Sequence, residues 1–171
     1  MREPSTRRTV LAGAGAGALA LAALTPAVAA QSERSDVEII EELLTFEHRL
    51  ESAYAAALRR DAIDVELGEL LRNQEREHIR ALEQVLREMG RRSPRATVPP
   101  PELGSALRGR DTFARFALVL EQRATSSYVD AAGGISAPGL RRPLGSIMAC
   151  EAAHQVALRS AAGLPLLAPE R

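Results

Sequence analysis

Two segments of the chain carry a Glu-x-x-His motif at positions where a helix would normally place apolar side chains. Glu75 and His78 interrupt a series of apolar residues spaced three and four positions apart, and Glu151 and His154 interrupt a second series of the same kind. Residues three apart project side by side from one face of a helix. Each motif therefore places a carboxylate and an imidazole together on a face that should point into a protein core.

Two further acidic residues complete a repeated pattern. Glu47 and Glu121 each lie on an apolar stripe, and each is followed seven residues later by a tyrosine, Tyr54 or Tyr128. The lone glutamate precedes the next Glu-x-x-His motif by 28 residues in the first half and by 30 in the second. The second half of the chain thus repeats the first, which predicts a pseudo-two-fold arrangement with all six polar groups near its axis.

Four carboxylates buried together require compensation, because an unpaired buried carboxylate is costly and neighbouring carboxylates repel one another. No arginine stands beside the motifs on their apolar stripes. Two divalent cations would balance four carboxylates, and two imidazoles would add neutral nitrogen ligands. The residues therefore favour a dinuclear site of iron or manganese, with zinc as a competitor. Protonation of some carboxylates is the alternative.

The elements that carry these residues are predicted to be helices. The chain has 171 residues, of which 46% are hydrophobic and 26% charged, with abundant Ala and Leu, a composition typical of a globular helical protein. Apolar residues at helical spacing predict four helices, at about 36–60, from Asp61 or Asp64 to Met89, about 112–132 and about 138–162. The first would open with a capping box at Ser35–Glu38, and Asp111 would cap the third.

The connections between these helices are short, long and short. Residues 91–110 contain Gly104 and four prolines, three of them consecutive at 99–101, and are predicted to form a linker of about 20 residues. This pattern fits an antiparallel four-helix bundle with a long crossover between its second and third helices. An elongated coiled coil is the weaker alternative, because the breakers end each helix after about 22–27 residues.

The first thirty residues have the features of an export signal. Arg7 and Arg8 precede an uncharged Ala/Gly/Leu run of about 14 residues, and residues 27–29 form a small-x-small cleavage pattern. The run is shorter than the ~20 residues that a spanning helix needs. Residues 6–11 resemble the twin-arginine export motif. This predicts a signal peptide at 1–29, a domain at 30–171 with no stable membrane anchor after cleavage, and a periplasmic, cell-wall or extracellular location. An ordinary secretory signal and an uncleaved anchor are the alternatives.

Composition also excludes several function classes. The chain has 22 basic and 22 acidic residues, so a nucleic-acid-binding surface is not expected. One cysteine excludes an intrachain disulfide framework and any cysteine-based zinc or iron–sulfur cluster. All basic residues are arginine, which excludes lysine Schiff-base chemistry.

The order of the lone glutamates and the two motifs resembles the di-iron carboxylate pattern of ferritin-like proteins, including bacterioferritin and rubrerythrin. Segments 46–54 and 151–154 look most like those of exported bacterial ferritin-like domain proteins. The resemblance covers about 36–163 and implies two iron ions as the cofactor. It implies terminal ligands at Glu47 and Glu121, bridging ligands at Glu75 and Glu151, and one histidine ligand per metal at His78 and His154. No fifth helix is predicted after Gly163, unlike in cage-forming ferritins.

Two functional hypotheses follow. The first is an exported ferritin-like oxidoreductase whose dinuclear site oxidises ferrous iron or consumes oxygen or peroxide. The second is a non-enzymatic envelope or stress-related binding protein that kept the bundle and lost its metal. A homodimer through the Ala-rich faces of the first and fourth helices is compatible with either hypothesis.

Several residues near the motifs have competing interpretations. Glu51 lies one turn from the first lone glutamate and is its rival as a ligand. Tyr54 and Tyr128 either bond the carboxylates, act in one-electron chemistry, or only fill the core with a satisfied hydroxyl. His48 is predicted to lie on the flank of its helix, because it is rotated about 100° from its neighbour. Cys150 is predicted to be a small buried hydrophobe.

Overall fold

The structure is a computed structural model that describes residues 34–94 and 99–166. These residues form four long helices and one short helix. The predicted signal segment, with Arg7 and Arg8, lies outside these residues. The described ranges contain no strand, which confirms the all-α prediction. The helices are α1 (Asp36–Arg59), α2 (Val65–Glu88), α3 (Leu103–Ala106), α4 (Arg110–Gly134) and α5 (Pro138–Ala161). Within the described ranges, no helix combines the length and the apolar character needed to cross a bilayer.

Side-chain caps fix the starts of the first two long helices. Ser35 and Glu38 form the predicted capping box, in which each side chain accepts a hydrogen bond from the other residue's backbone N–H. Asp64 caps α2 by accepting a hydrogen bond from the Leu67 N–H at 3.1 Å. Asp61, the other predicted cap, lies instead in the turn with a left-handed φ of 53°. The short turn between the end of α1 and the start of α2 makes these two helices antiparallel neighbours.

Two predictions about the crossover and the third long helix are wrong. Asp111 does not cap α4, because the helix already begins at Arg110 with Gly109 at the N-cap position. Asp111 lies in the first turn, where its negative charge favours the helix dipole. The crossover is not free of helix either, since Leu103–Ala106 forms one helical turn. The three prolines end at residue 101, so they do not prevent this turn, and burial of its two end residues stabilises it.

The long helices associate as two pairs. α1 packs along α2 and α4 packs along α5, and contacts between α1 and α4 join the pairs. Asp36, in the first turn of α1, also accepts hydrogen bonds from the backbone N–H groups of Ser136 and Ala137 at 2.8 and 2.9 Å. It thereby ties α1 to the short α4–α5 connection. The result is the predicted ferritin-like helical bundle.

Apolar clusters occupy both ends of the bundle interior and leave a polar layer between them. Along α1, Leu44 belongs to one cluster and Leu50 to the other, and Glu47 lies between them. Along α2, Leu71 and Leu82 belong to opposite clusters in the same way. The polar layer is therefore closed by packed hydrocarbon at each end, which limits the access of water.

Candidate metal centre

All six predicted residues meet in this polar layer. α1 and α4 each supply one glutamate, while α2 and α5 each supply a Glu-x-x-His pair. The four glutamates have no exposed surface, and the two histidines are buried as well. Each helix places its polar group on the face that is otherwise apolar, so packing that face inward forces the groups together. The residues are Glu47, Glu75, His78, Glu121, Glu151 and His154.

The six side chains form two overlapping groups of four. In each group, one atom per residue lies within 4.8 Å of the chosen atoms of the other three. One group contains Glu47 and His78, the other contains Glu121 and His154, and Glu75 and Glu151 belong to both. Two shared carboxylates and two separate histidines are the arrangement expected for a pair of metal positions.

The Nδ1 atom of each histidine faces the carboxylates of its group. His78 Nδ1 lies 2.8 Å from Glu151 Oε1 and 3.3 Å from Glu47 Oε2. His154 Nδ1 lies 3.1 Å from Glu75 Oε1 and 3.4 Å from Glu121 Oε1. None of these contacts has the alignment of a hydrogen bond. The atoms instead surround shared points, as ligand atoms do.

Buried polar atoms without a hydrogen-bond partner show whether the site has free donor atoms for a pair of metal ions. Buried polar groups in proteins are nearly always hydrogen-bonded. In the described ranges, every such side-chain atom that lacks a partner belongs to the six residues. The set comprises six carboxylate oxygens and two Nδ1 nitrogens, an oxygen-rich donor set with some nitrogen that suits iron or manganese. The residues therefore fit a dinuclear metal site.

Tyrosine hydroxyls anchor the two lone glutamates across the bundle. Tyr54 on α1 donates a hydrogen bond to Oε1 of Glu121 on α4, and Tyr128 on α4 donates one to Oε1 of Glu47 on α1. Burial, reinforced by the neighbouring carboxylates, raises the pKa of both tyrosines, so the hydroxyls keep their protons. Each lone glutamate thus has one oxygen fixed by a tyrosine and the other, Oε2, without a partner. The tyrosines therefore bond the carboxylates as well as filling the core.

Burial and proximity also shift the pKa values of Glu47, Glu121, Glu151 and the two histidines in the metal-free protein. Burial raises the pKa of Glu47 and Glu121 well above the usual 4.5. Burial lowers the pKa of His78 and His154, but the surrounding carboxylates outweigh it and hold both well above the usual 6.5. Burial raises the pKa of Glu151, but contacts with Glu121 and His154 outweigh it and hold that pKa below its usual range. Metal binding must therefore displace protons from this cluster.

Two neighbouring residues lie outside the cluster. Glu51, the rival ligand, accepts hydrogen bonds from Arg72 Nε at 2.9 Å and Arg76 Nε at 3.2 Å, on the outer side of the α1–α2 pair. The rotation of α1 that buries Glu47 turns Glu51 away. His48 is half-buried and belongs to neither group of four, as its flank position predicts.

Gln74 and Cys150 contact the site and were not expected to do so. His154 Nε2 lies 2.8 Å from Gln74 Oε1 and 3.4 Å from Cys150 Sγ. The interpretation of Cys150 as a buried hydrophobe is wrong, because it is only half-buried and touches the histidine. A signal was present in the sequence, since each residue directly precedes the glutamate of a Glu-x-x-His motif.

The ferritin-like domain family matches residues 35–164, which include all four long helices and all six residues of the cluster. No curated protein matches the chain significantly.

Proposed function

Because the chain belongs to the ferritin-like domain family, we propose that it binds two iron ions between its long helices. We propose further that it uses them to oxidise ferrous iron or to consume oxygen or peroxide. The observation that carries this proposal is the set of buried oxygen and nitrogen atoms without partners, drawn from all four long helices and facing one another. Manganese and zinc are the competing metals for the same donor set.

The unpartnered atoms support a proposed role for each residue. Glu75 and Glu151 have both carboxylate oxygens free, so each can give one oxygen to each metal as a bridging ligand. Glu47 and Glu121 have only Oε2 free, which suits a terminal ligand at one metal each. The two histidines contribute Nδ1, one to each metal. Two metal ions with four carboxylates form a charge-balanced centre.

The chain supplies an environment suited to oxidative chemistry. A bound iron pair would supply the electrons that reduce oxygen or peroxide. The apolar clusters at both ends exclude water from the polar layer. The tyrosine hydroxyls hold the terminal carboxylates in one orientation, which pre-organises the site. The protons on the imidazoles and terminal carboxyls leave as metal enters.

Metal content tests the proposal directly. The mature chain would be purified after growth with iron, and metal per chain would be measured beside that of the double variant Glu75→Ala plus Glu151→Ala. We expect about two metal ions per wild-type chain and almost none in the variant, since both shared ligands are gone. Glu51→Ala is the matched control on the outer side of the bundle and should keep wild-type content. Equal, negligible metal in wild type and double variant would refute the proposal.

The non-enzymatic alternative rests on one observation. Protonated histidines beside the carboxylates, such as His78 at 2.8 Å from Glu151, can balance the buried charge without metal. Such a bundle would melt at the same temperature with or without a chelator. The metal-binding protein would lose stability when metal is removed, because ligand binding to the folded state raises stability.

Export completes the proposal and rests on the sequence alone. Arg7 and Arg8 in the twin-arginine-like motif would direct the folded, metal-loaded chain across the membrane. Replacing both with lysine should leave the precursor inside the cell, which fractionation and immunoblotting would detect. Export at the wild-type level would contradict this part of the proposal and leave the metal site unaffected.

A further inference from the structure

The two halves of the site differ at the histidine nitrogens that point away from the carboxylates. His154 Nε2 lies 2.8 Å from the amide oxygen of Gln74. His78 Nε2 has no hydrogen-bond partner among residues 34–94 and 99–166. The His78 side chain is also more exposed, at 9% against 3% for His154. Within the described part of the chain, His154 therefore has a hydrogen-bond partner at Nε2 and His78 has none.

The internal repeat shows which residues cause this difference. A shift of 76 positions (151 − 75 and 154 − 78) places the second motif on the first, and it places Cys150 on Gln74. Gln74 reaches from α2 across to the histidine on α5. Cys150 starts from the equivalent place on α5, but its side chain is shorter by two atoms and it contacts its own helix's His154 instead. His78 thus lacks the amide that the repeat would otherwise supply.

The amide has a definite effect on a histidine that binds metal. When Nδ1 binds a metal, the proton of the neutral ring resides on Nε2, and Gln74 Oε1 is placed to accept it. Such a hydrogen bond fixes the tautomer and the ring orientation and makes Nδ1 a better donor. The described residues offer no such acceptor to His78, which leaves its Nε2 proton to solvent at the partly exposed edge of the bundle and its ring orientation less constrained.

We propose that Gln74 is a positioning residue that makes the metal position at His154 the tighter of the two. The position at His78 then fills last and empties first, so it is the position at which metal exchanges. This inference rests on the dinuclear site proposed above. It adds that the two positions are unequal and that the difference resides in Gln74 and Cys150.

Cobalt titration of the metal-free protein tests the proposal without measuring activity. Co²⁺ would be added to the full-length mature chain, and heat and visible absorption would be recorded. We expect two binding steps for wild type, separated by about tenfold or more in affinity, the usual effect of a partner to a ligand histidine. Gln74→Leu removes the acceptor while keeping similar bulk. It should weaken the tight step about tenfold and leave the weak step unchanged.

Three further variants separate positioning from general damage to the fold. Gln74→Glu keeps an acceptor oxygen and should restore two unequal steps. Cys150→Gln gives His78 the missing amide and should tighten the weak step. Gln84→Leu changes an exposed glutamine on α2, which bonds Glu88 far from the site, and should bind cobalt as wild type does. Circular dichroism of each metal-free variant confirms the helical fold.

The outcomes distinguish this inference from the proposed function. If wild type binds no cobalt, the dinuclear site itself is refuted. If wild type binds two ions with equal affinity, or if Gln74→Leu binds them as wild type does, the site stands and the role of Gln74 is refuted. Two unequal steps that converge in Gln74→Leu and reappear in Gln74→Glu support the inference.

Discussion

Replacing Glu47 with glutamine separates the structural role of this buried side chain from its role as a ligand. Glutamine has nearly the same shape, and its amide oxygen can still accept the hydrogen bond from Tyr128. In the metal-free protein, burial holds the pKa of Glu47 well above its usual value, so a neutral carboxyl is replaced by a neutral amide. The free energy of unfolding of metal-free Glu47→Gln should therefore stay within about 1 kcal/mol of wild type.

Metal changes this comparison, because an amide is a poorer ligand than a carboxylate. Free metal at about a thousand times its dissociation constant stabilises one site by roughly 4.1 kcal/mol. Losing a ligand should weaken binding at least as much as losing a hydrogen-bond partner of a ligand, about 10- to 100-fold. The stabilisation would then fall to roughly 2.7–1.4 kcal/mol. For a domain of this size, the loss corresponds to about 5–10 °C in Tm.

Thermal melts at neutral pH, recorded with a chelator and again with excess Co²⁺, measure both effects. Glu121→Gln, the equivalent change in the other half of the repeat, should behave in the same way. Glu51→Gln is the control, because Glu51 contacts Arg72 and not the site. If Glu47→Gln gained as much stability from metal as wild type, Glu47 would not be a ligand. If the metal-free variant lost several kcal/mol, the argument that its carboxyl is neutral would be wrong.

Three further predictions concern pH and packing. The terminal carboxyls and the imidazoles have raised pKa values in the folded state. The stability that each group contributes is complete below its unfolded pKa, which is 4.5 for the carboxyls and 6.5 for the imidazoles. This contribution is lost as pH rises through the folded pKa of the group. Urea denaturation of metal-free protein should thus show stability falling from about pH 4.5 upward as the carboxyl contribution is lost, and falling further above about pH 6.5 as the imidazole contribution is lost, while the stabilisation by metal grows; a flat profile would contradict this. Tyr54→Phe and Tyr128→Phe each leave a buried carboxyl oxygen unpaired and should each lower the free energy of unfolding by about 1–3 kcal/mol in urea; no loss in either variant would refute these hydrogen bonds. Gly68→Ala places a Cβ 2.7 Å from Ile63 Cγ2 and 2.8 Å from Leu58 Cδ2. It should lower the free energy of unfolding by about 1–3 kcal/mol, by the same amount in melts with and without Co²⁺. A change in the stabilisation by Co²⁺ would contradict the expectation that this contact is independent of the site.

Much of the fold could be predicted because local signals and hydrophobic periodicity agree. The capping box at Ser35–Glu38 forms as expected, and the apolar spacing gives all four long helices to within about two or three residues at each end. The start of α4 and the turn α3 were missed. Both depend on burial of Leu103 and Phe113 against the rest of the bundle, and local sequence carries little information about such contacts.

The sequence by itself determined which residues share a face and therefore which polar groups must be buried, because helical periodicity is a property of the chain alone. Tertiary structure decided which groups meet. The hydroxyl of Tyr54 bonds Glu121 on α4 and not the glutamate of its own helix. Gln74 reaches His154 on α5, while no amide among residues 34–94 and 99–166 bonds His78. The rotation of α1 also decided that Glu47 and not Glu51 faces the cluster. These pairings depend on the offset and rotation of helices relative to one another, which are set by side-chain packing between them.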